Sequence, residues 1–222
     1  MNEEQTVVPE NIPFEEQEKY GFFRSLTLTI SGVLRSPGIF FRKMHINKGY
    51  KMPLLFIVIM LALANTFSYI YISTGIIDSP AEQVAKAMES EPELSQQAQI
   101  LRDMMSAEPA PSDIIFGIIT NLFFIYLLAL YWHVIMRSLS VAINGFQATF
   151  RVFCYSSALL LSSVLPFSSP WLNMLIYMWW MYIFYTGISE AHEVSGRLVL
   201  RGMIVSLFAT MIPFIIITLA LF

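Results

Sequence analysis

The chain has 222 residues, 56% of them hydrophobic and 13% charged, with a mean hydropathy of +0.61. Soluble domains carry roughly a quarter charged residues, so this composition excludes an ordinary water-soluble globule. The net charge of −3 says little until its distribution is read, and the single cysteine, Cys154 in an apolar run, excludes an intrachain disulfide and reads as a small buried hydrophobe.

Met1 to Tyr20 carries Glu3, Glu4, Glu10, Glu15, Glu16 and Glu18, with Pro9 and Pro13. It has no apolar signal-peptide core, so the first span is expected to act as its own insertion signal. With few apolar residues to offset the entropy of ordering, residues 1–20 read as a disordered cytosolic tail; Ile12-Pro13-Phe14 reads as part of that solvated tail, with a docking motif as the alternative. Residues 21–52 are expected to form an interfacial amphipathic helix followed by a basic aromatic segment. Phe23, Leu26, Ile30, Val33 and Leu34 share a helical stripe, too short to cross about 30 Å of hydrocarbon. It lies in the interface plane or packs on the cytoplasmic face of a bundle. Phe40-Phe41 beside Arg42, Lys43, Lys48 and Lys51 suits an anionic lipid surface.

Residues 53–222 read as a five-span membrane domain. The spans are Pro53–Ser73 (with Asn65 placed for an interhelical contact), Ile114–Met136, Val152–Leu165 extended back through Thr149, Trp171–Ile188, and Leu198–Phe222, with a kink expected at Pro213. The loop 74–113 should form an extracytoplasmic helical cap. Ser79-Pro80-Ala81-Glu82 and Ser90-Glu91-Pro92-Glu93 both have capping-box form, and Leu94, Ala98, Leu101 and Met105 make a stripe on the second helix. The fold class is thus all-α and polytopic. With the N-terminus inside, eleven of the thirteen Lys and Arg residues face the cytosol and only Lys86 and Arg102 lie outside, which predicts an N-in, C-out topology.

Between the uncharged stretches 152–189 and 202–222 sits a polar knot, G-I-S-E-A-H-E-V-S-G-R-L-V-L-R, from Gly187 to Arg201. Under this topology His133, Arg137, Arg151, Glu190, His192 and Glu193 converge near the cytoplasmic ends of their spans. Glu190 and Glu193 share a face if the helix continues. Charges near an apolar boundary are least costly when paired, which predicts Glu190 on Arg151, with Arg137 as the second choice. Two other readings of the cluster stay open: an ion or proton relay through Glu190 and His133, and a metal site, although no H-x-x-x-H or C-x-x-C spacing is present. Gly187-Ile188-Ser189 is only a fragment of a hydrolase elbow, and there is no P-loop, dinucleotide fingerprint or basic–aromatic strip. No catalytic activity, cofactor or nucleic-acid partner is therefore expected.

Three stretches in order, S-P-G-I-F-F-R-K-M, F-Q-A-T-F-R-V-F-C-Y-S-S-A before Pro166, and G-I-S-E-A-H-E-V-S-G-R, resemble the Yip family of Ypt/Rab-interacting membrane proteins, from about Ser36 to Phe222. The resemblance matches Thr149, Phe150, Arg151, Tyr155 and Pro166 to one motif and Gly187, Glu190 and His192 to another. It implies a five-helix membrane domain with a cytosolic N-terminus and, in eukaryotic members, vesicle traffic through small GTPases. The short tail and long outer loop look more like bacterial members, for which the GTPase role does not carry over. The expectation is a non-enzymatic adaptor or organiser of the bacterial inner membrane, touching lipids and other membrane proteins or itself; the alternative is a small transporter or channel.

Overall fold

The computed structural model describes residues 11–89, 94–105, 110–166 and 169–221, and among them there is no strand. A 3-10 turn, Pro13–Glu15, leads into α1 (Gln17–Tyr20), α2 (Phe22–Arg35) and α3 (Pro37–Arg42). Then come α4 (Lys51–Ser73), α5 (Pro80–Glu89), α6 (Ser95–Met105), α7 (Ser112–Ser138), α8 (Gly145–Ser156), a 3-10 segment Ser157–Val164, α9 (Pro170–His192) and α10 (Gly196–Leu221).

Among the described residues two helices, α4 and α7, are long and apolar enough to cross a membrane, with mean hydropathies of 2.1 and 2.3 over their most apolar stretches. Neither is a buried core helix: only 22% and 6% of those stretches are covered by protein. On α7, Ile115, Phe116, Ile119, Phe123 and Phe124 are exposed; Trp171, Leu175 and Met178 on α9 and Ile204, Phe208 and Met211 on α10 continue the apolar band. A surface this apolar needs hydrocarbon rather than water around it.

Inside the band, α4 packs on α7, on α8 and on the 3-10 segment, α8 and α3 pack on α9, and α10 closes on α7 and α9. The centre is aromatic. Trp132 meets Phe184 edge to face at 5.0 Å, and Phe153 meets Phe184 at 4.7 Å. Gly187 on α9 lets the helices approach, since a Cβ there would lie 2.6 Å from Val152 and 3.0 Å from the Phe41 ring.

The expected third span differs in form. It begins at Gly145 as an α-helix and continues from Ser157 to Val164 as a 3-10 helix. Ser157 and Ser163 donate to the carbonyls three residues back, of Cys154 at 2.5 Å and Leu160 at 2.6 Å. The Tyr71 hydroxyl of α4 donates to the Val164 carbonyl at the open end. The steeper rise of a 3-10 helix lets these twenty residues cover roughly 34 Å, against about 30 Å for an α-helix of equal length. Pro166 then ends the segment. The fifth expected span, α10, runs through Pro213 without interruption.

Other expectations need correction. Residues 11–20 are folded, with Ile12 and Phe14 buried; residues 1–10 lie outside the described residues. The stripe on α2 is rotated from the expected one. Ser25, Thr29 and Val33 are its buried positions, Leu26, Ile30 and Leu34 flank them against the core, and Phe23 is 80% exposed. The Ile12–Glu15 segment lies along α2, where one backbone donor meets a hydroxyl: the Phe14 N–H donates to Thr29 Oγ1 at 3.0 Å. Asn65 donates to the Leu61 carbonyl of its own helix, at 2.8 Å, while its oxygen abuts Gly117 of α7.

In the loop, Ser79 caps α5, accepting the Glu82 N–H at 3.2 Å, the first half of the expected capping box. The second box, Ser90 to Glu93, lies outside the described residues. α5 and α6 pair, burying Ala85 and Ala98, and Arg102 reaches back to both Glu82 and Glu89.

Candidate functional site

The N-terminal turn, the C-terminal ends of α3, α7 and α9, the 43–50 connection and the N-terminal half of α8 meet at one end of the bundle. Their polar groups form three linked arrangements.

The first is a buried ion pair. Arg151, on α8, is fully buried. Its Nη2 pairs with Glu15 Oε1, and its Nη1 donates to the Gly49 carbonyl at 2.9 Å. The Tyr155 hydroxyl, one helical turn on, donates to the same Glu15 oxygen at 2.6 Å, and the guanidinium lies 5.9 Å from the Tyr155 ring. Gly49 has φ of +83°, a backbone shape that favours glycine, and this turns its carbonyl toward Arg151. A desolvated guanidinium is tolerable only when paired and hydrogen-bonded. The chain therefore brings Glu15 in beside Phe14, which is wedged edge to face on Phe56 at 5.4 Å.

The second arrangement is a relay of neutral donors. The Asn144 backbone N–H donates to His192 Nδ1 at 3.1 Å. A backbone amide can only donate, so Nδ1 is bare and Nε2 carries the hydrogen. Nε2 then donates to Thr149 Oγ1 at 2.9 Å. The Thr149 hydroxyl in turn donates to His133 Nδ1 at 2.8 Å. The order of donation is thus read from one end, and both imidazoles are buried. Asn144 Nδ2 also binds the Ala191 carbonyl at 3.0 Å.

The third is a rim pair. Arg42 Nε and Nη2 grip both oxygens of Glu190, at 3.1 and 2.8 Å. The Arg42 side chain is mostly exposed, so this two-point contact orients α3 against α9 more than it stabilises the fold.

The predicted pairing of Glu190 with Arg151 is therefore corrected. Both lie at the same end of the bundle, but the α8 face bearing Arg151 turns inward to the N-terminal turn, whereas Glu190 sits on the outer face of α9. Local composition assigns Glu15 to a disordered tail, which hides it as a partner for Arg151. Nor do Glu190 and Glu193 share a face. α9 ends at His192, Glu193 adopts a left-handed φ of 53° as its cap, and its side chain is exposed. Ser189 closes this end by donating to the Val194 carbonyl at 2.8 Å. Arg137 is exposed and reaches the Ala142 carbonyl at 3.3 Å. His133 and His192 do come together, through Thr149. Sequence reasoning missed Glu15, Asn144 and Gly49; the one available signal was Ile12 and Phe14, two apolar residues in an acidic tail.

Among the described residues no three His, Cys, Asp or Glu side chains converge as metal ligands. The site is a set of polar groups largely paired with one another, although the buried Arg151 Nε has no partner among the described residues, and fold and site together define a helical integral membrane protein. The model of the Yip1 domain matches residues 31–218, so the chain belongs to the Yip family. Curated proteins and solved structures give no match.

Proposed function

We propose that this Yip-family protein is a non-enzymatic organiser of the bacterial inner membrane, with five spans, the N-terminus inside and the C-terminus outside, acting through lipid and protein contacts of its cytosolic face. The observation that carries this reading is the convergence of Glu15, Arg42, Gly49, His133, Asn144, Arg151 and Glu190 at one end of the bundle. Five alternating crossings bring those chain positions to one side. Most of their polar groups are paired with one another, which suits a fixed platform better than a reaction centre.

Around that platform Arg24, Arg35, Lys48 and Lys51 are exposed, beside exposed Phe22, Phe23 and Ile39. Cations next to apolar rings suit anionic headgroups at the membrane surface, each basic residue contributing about 1 kcal/mol. Crosslinking in native membranes followed by purification should recover protein or self contacts through the α2–α3 face. Recovery of the chain alone, with no dependence of membrane packing on anionic lipid, would remove the proposal.

The His192–Thr149–His133 relay favours a second reading, a small proton-coupled transporter. Reconstituted vesicles decide between the two. Proton-coupled uptake lost in His133→Gln would establish transport and displace the organiser reading; no flux with any gradient would leave the platform role standing.

A further inference from the structure

A cavity of about 530 Å³ opens at the other end of the bundle, between α4, α7, the 3-10 segment and α9. That volume lies inside the roughly 300–1,000 Å³ range of sites for a single small ligand. Its walls are apolar, with Ile125, Leu128, Phe153, Leu160, Ile176 and Trp180 among them. Its polar lining consists of uncharged groups, including Ser68, Ser156, Ser162 and Asn173, and among the described residues no Lys, Arg, Asp or Glu borders it.

Ser156 sets this cavity apart from a packing gap. It is fully buried, lines the cavity, and its hydroxyl has no hydrogen-bond partner in the described structure. Two nearby serines have closed on the backbone: Ser157 and Ser163 donate to the carbonyls of Cys154 and Leu160. A buried hydroxyl left open where its neighbours have closed on the backbone calls for an acceptor that the protein does not supply. Because the cavity has no charge, an ionised headgroup entering it would lose its water without gaining a partner. An oxygen joined to an aliphatic chain meets both demands.

We propose that this cavity binds one uncharged glycerolipid of the diacylglycerol class. An ester or hydroxyl oxygen accepts from Ser156, and the acyl chain lies against Phe153, Leu160 and Trp180. This site is separate from the anionic surface contact proposed for the cytosolic face, and either can fail without the other.

The test uses the full chain in lipid nanodiscs with two photoactivatable probes carrying the same diazirine-labelled acyl chain, a diacylglycerol and a phosphatidylglycerol. Labelled peptides are mapped by mass spectrometry. The diacylglycerol probe should concentrate on residues 156–164 and 173–180 well above the phosphatidylglycerol, whose ionised headgroup would be desolvated there without a partner. Ser156→Ala should lower that labelling about fivefold while leaving thermal stability unchanged, because the hydroxyl has no protein partner to lose. Leu160→Trp should abolish it by filling the space; if that variant does not fold, Ser156→Ala carries the test alone. Equal labelling by both probes, labelling spread over the exposed α7 residues Phe116 and Phe123, or no effect of Ser156→Ala would each overturn the proposal.

Discussion

Arg151 shows how one buried charge can organise a chain end. Its guanidinium is held by Glu15, the Gly49 carbonyl and the Tyr155 ring, so removing Glu15 leaves a desolvated cation. Glu15→Ala should cost about 3–5 kcal/mol, whereas the double variant Glu15→Ala/Arg151→Met should cost less than the two single losses together. Thermal unfolding in detergent measures the coupling; strict additivity would show that the pair does not form. The two histidines make a different demand. Nitrogen NMR of the labelled protein should find His192 neutral with its hydrogen on Nε2, and Thr149→Val should cost about 1–3 kcal/mol by orphaning both rings. A hydrogen found on Nδ1 would contradict the order of donation.

At the scale of elements, α2 has two faces with different neighbours. Ile30 packs toward the core, while Phe23 is turned outward. Ile30→Glu should therefore lower stability by about 1.5–3 kcal/mol, and Phe23→Glu should leave stability nearly unchanged while weakening attachment to anionic vesicles. Unfolding curves and vesicle co-sedimentation separate the two effects, and equal losses in both assays would mean that the helix is placed wrongly.

The α5–α6 pair is held by charge instead. Arg102, hydrogen-bonded to Glu89, keeps that carboxyl below its ordinary value. A depressed carboxyl contributes above its unfolded pKa and loses that contribution as pH falls through the folded one. Protease cleavage within 80–105 should accordingly rise at pH below about 4, and rise modestly because Glu89 is solvent-exposed. Cleavage that does not change with pH would show that the helices are held by Ala85 and Ala98 alone.

The whole molecule is a bundle whose outer band is apolar and whose two ends differ, one rich in cations and buried polar contacts, the other carrying the acidic helical loop. The proposed sidedness rests on that asymmetry. A reporter active only outside the cytoplasm should be active when fused after Phe222 and silent when fused at Gly145. The reverse pattern would invert the proposed orientation and place the Glu15–Arg151 end outside.

The membrane class, the boundaries of α4 and α7, the start of α9, and the loop helix α5 were legible in the sequence, because each depends on local quantities: the length of an apolar run, a capping serine, a proline at a helix start. The Yip-family membership was legible for a similar reason, since motifs in fixed order survive without any geometry. The residues of the polar cluster were largely named as well, for charges beside apolar runs are conspicuous. Their partners were not. Which side of α8 turns Arg151 inward, and which acid reaches it across 136 positions of sequence, depends on helix rotation and on the folding back of the N-terminal turn. Local pattern carries neither. The same holds for the 3-10 stretch from Ser157, whose composition is that of an ordinary span. Only packing against α4 and α9 decided that it would stretch, leaving the cavity beside Ser156.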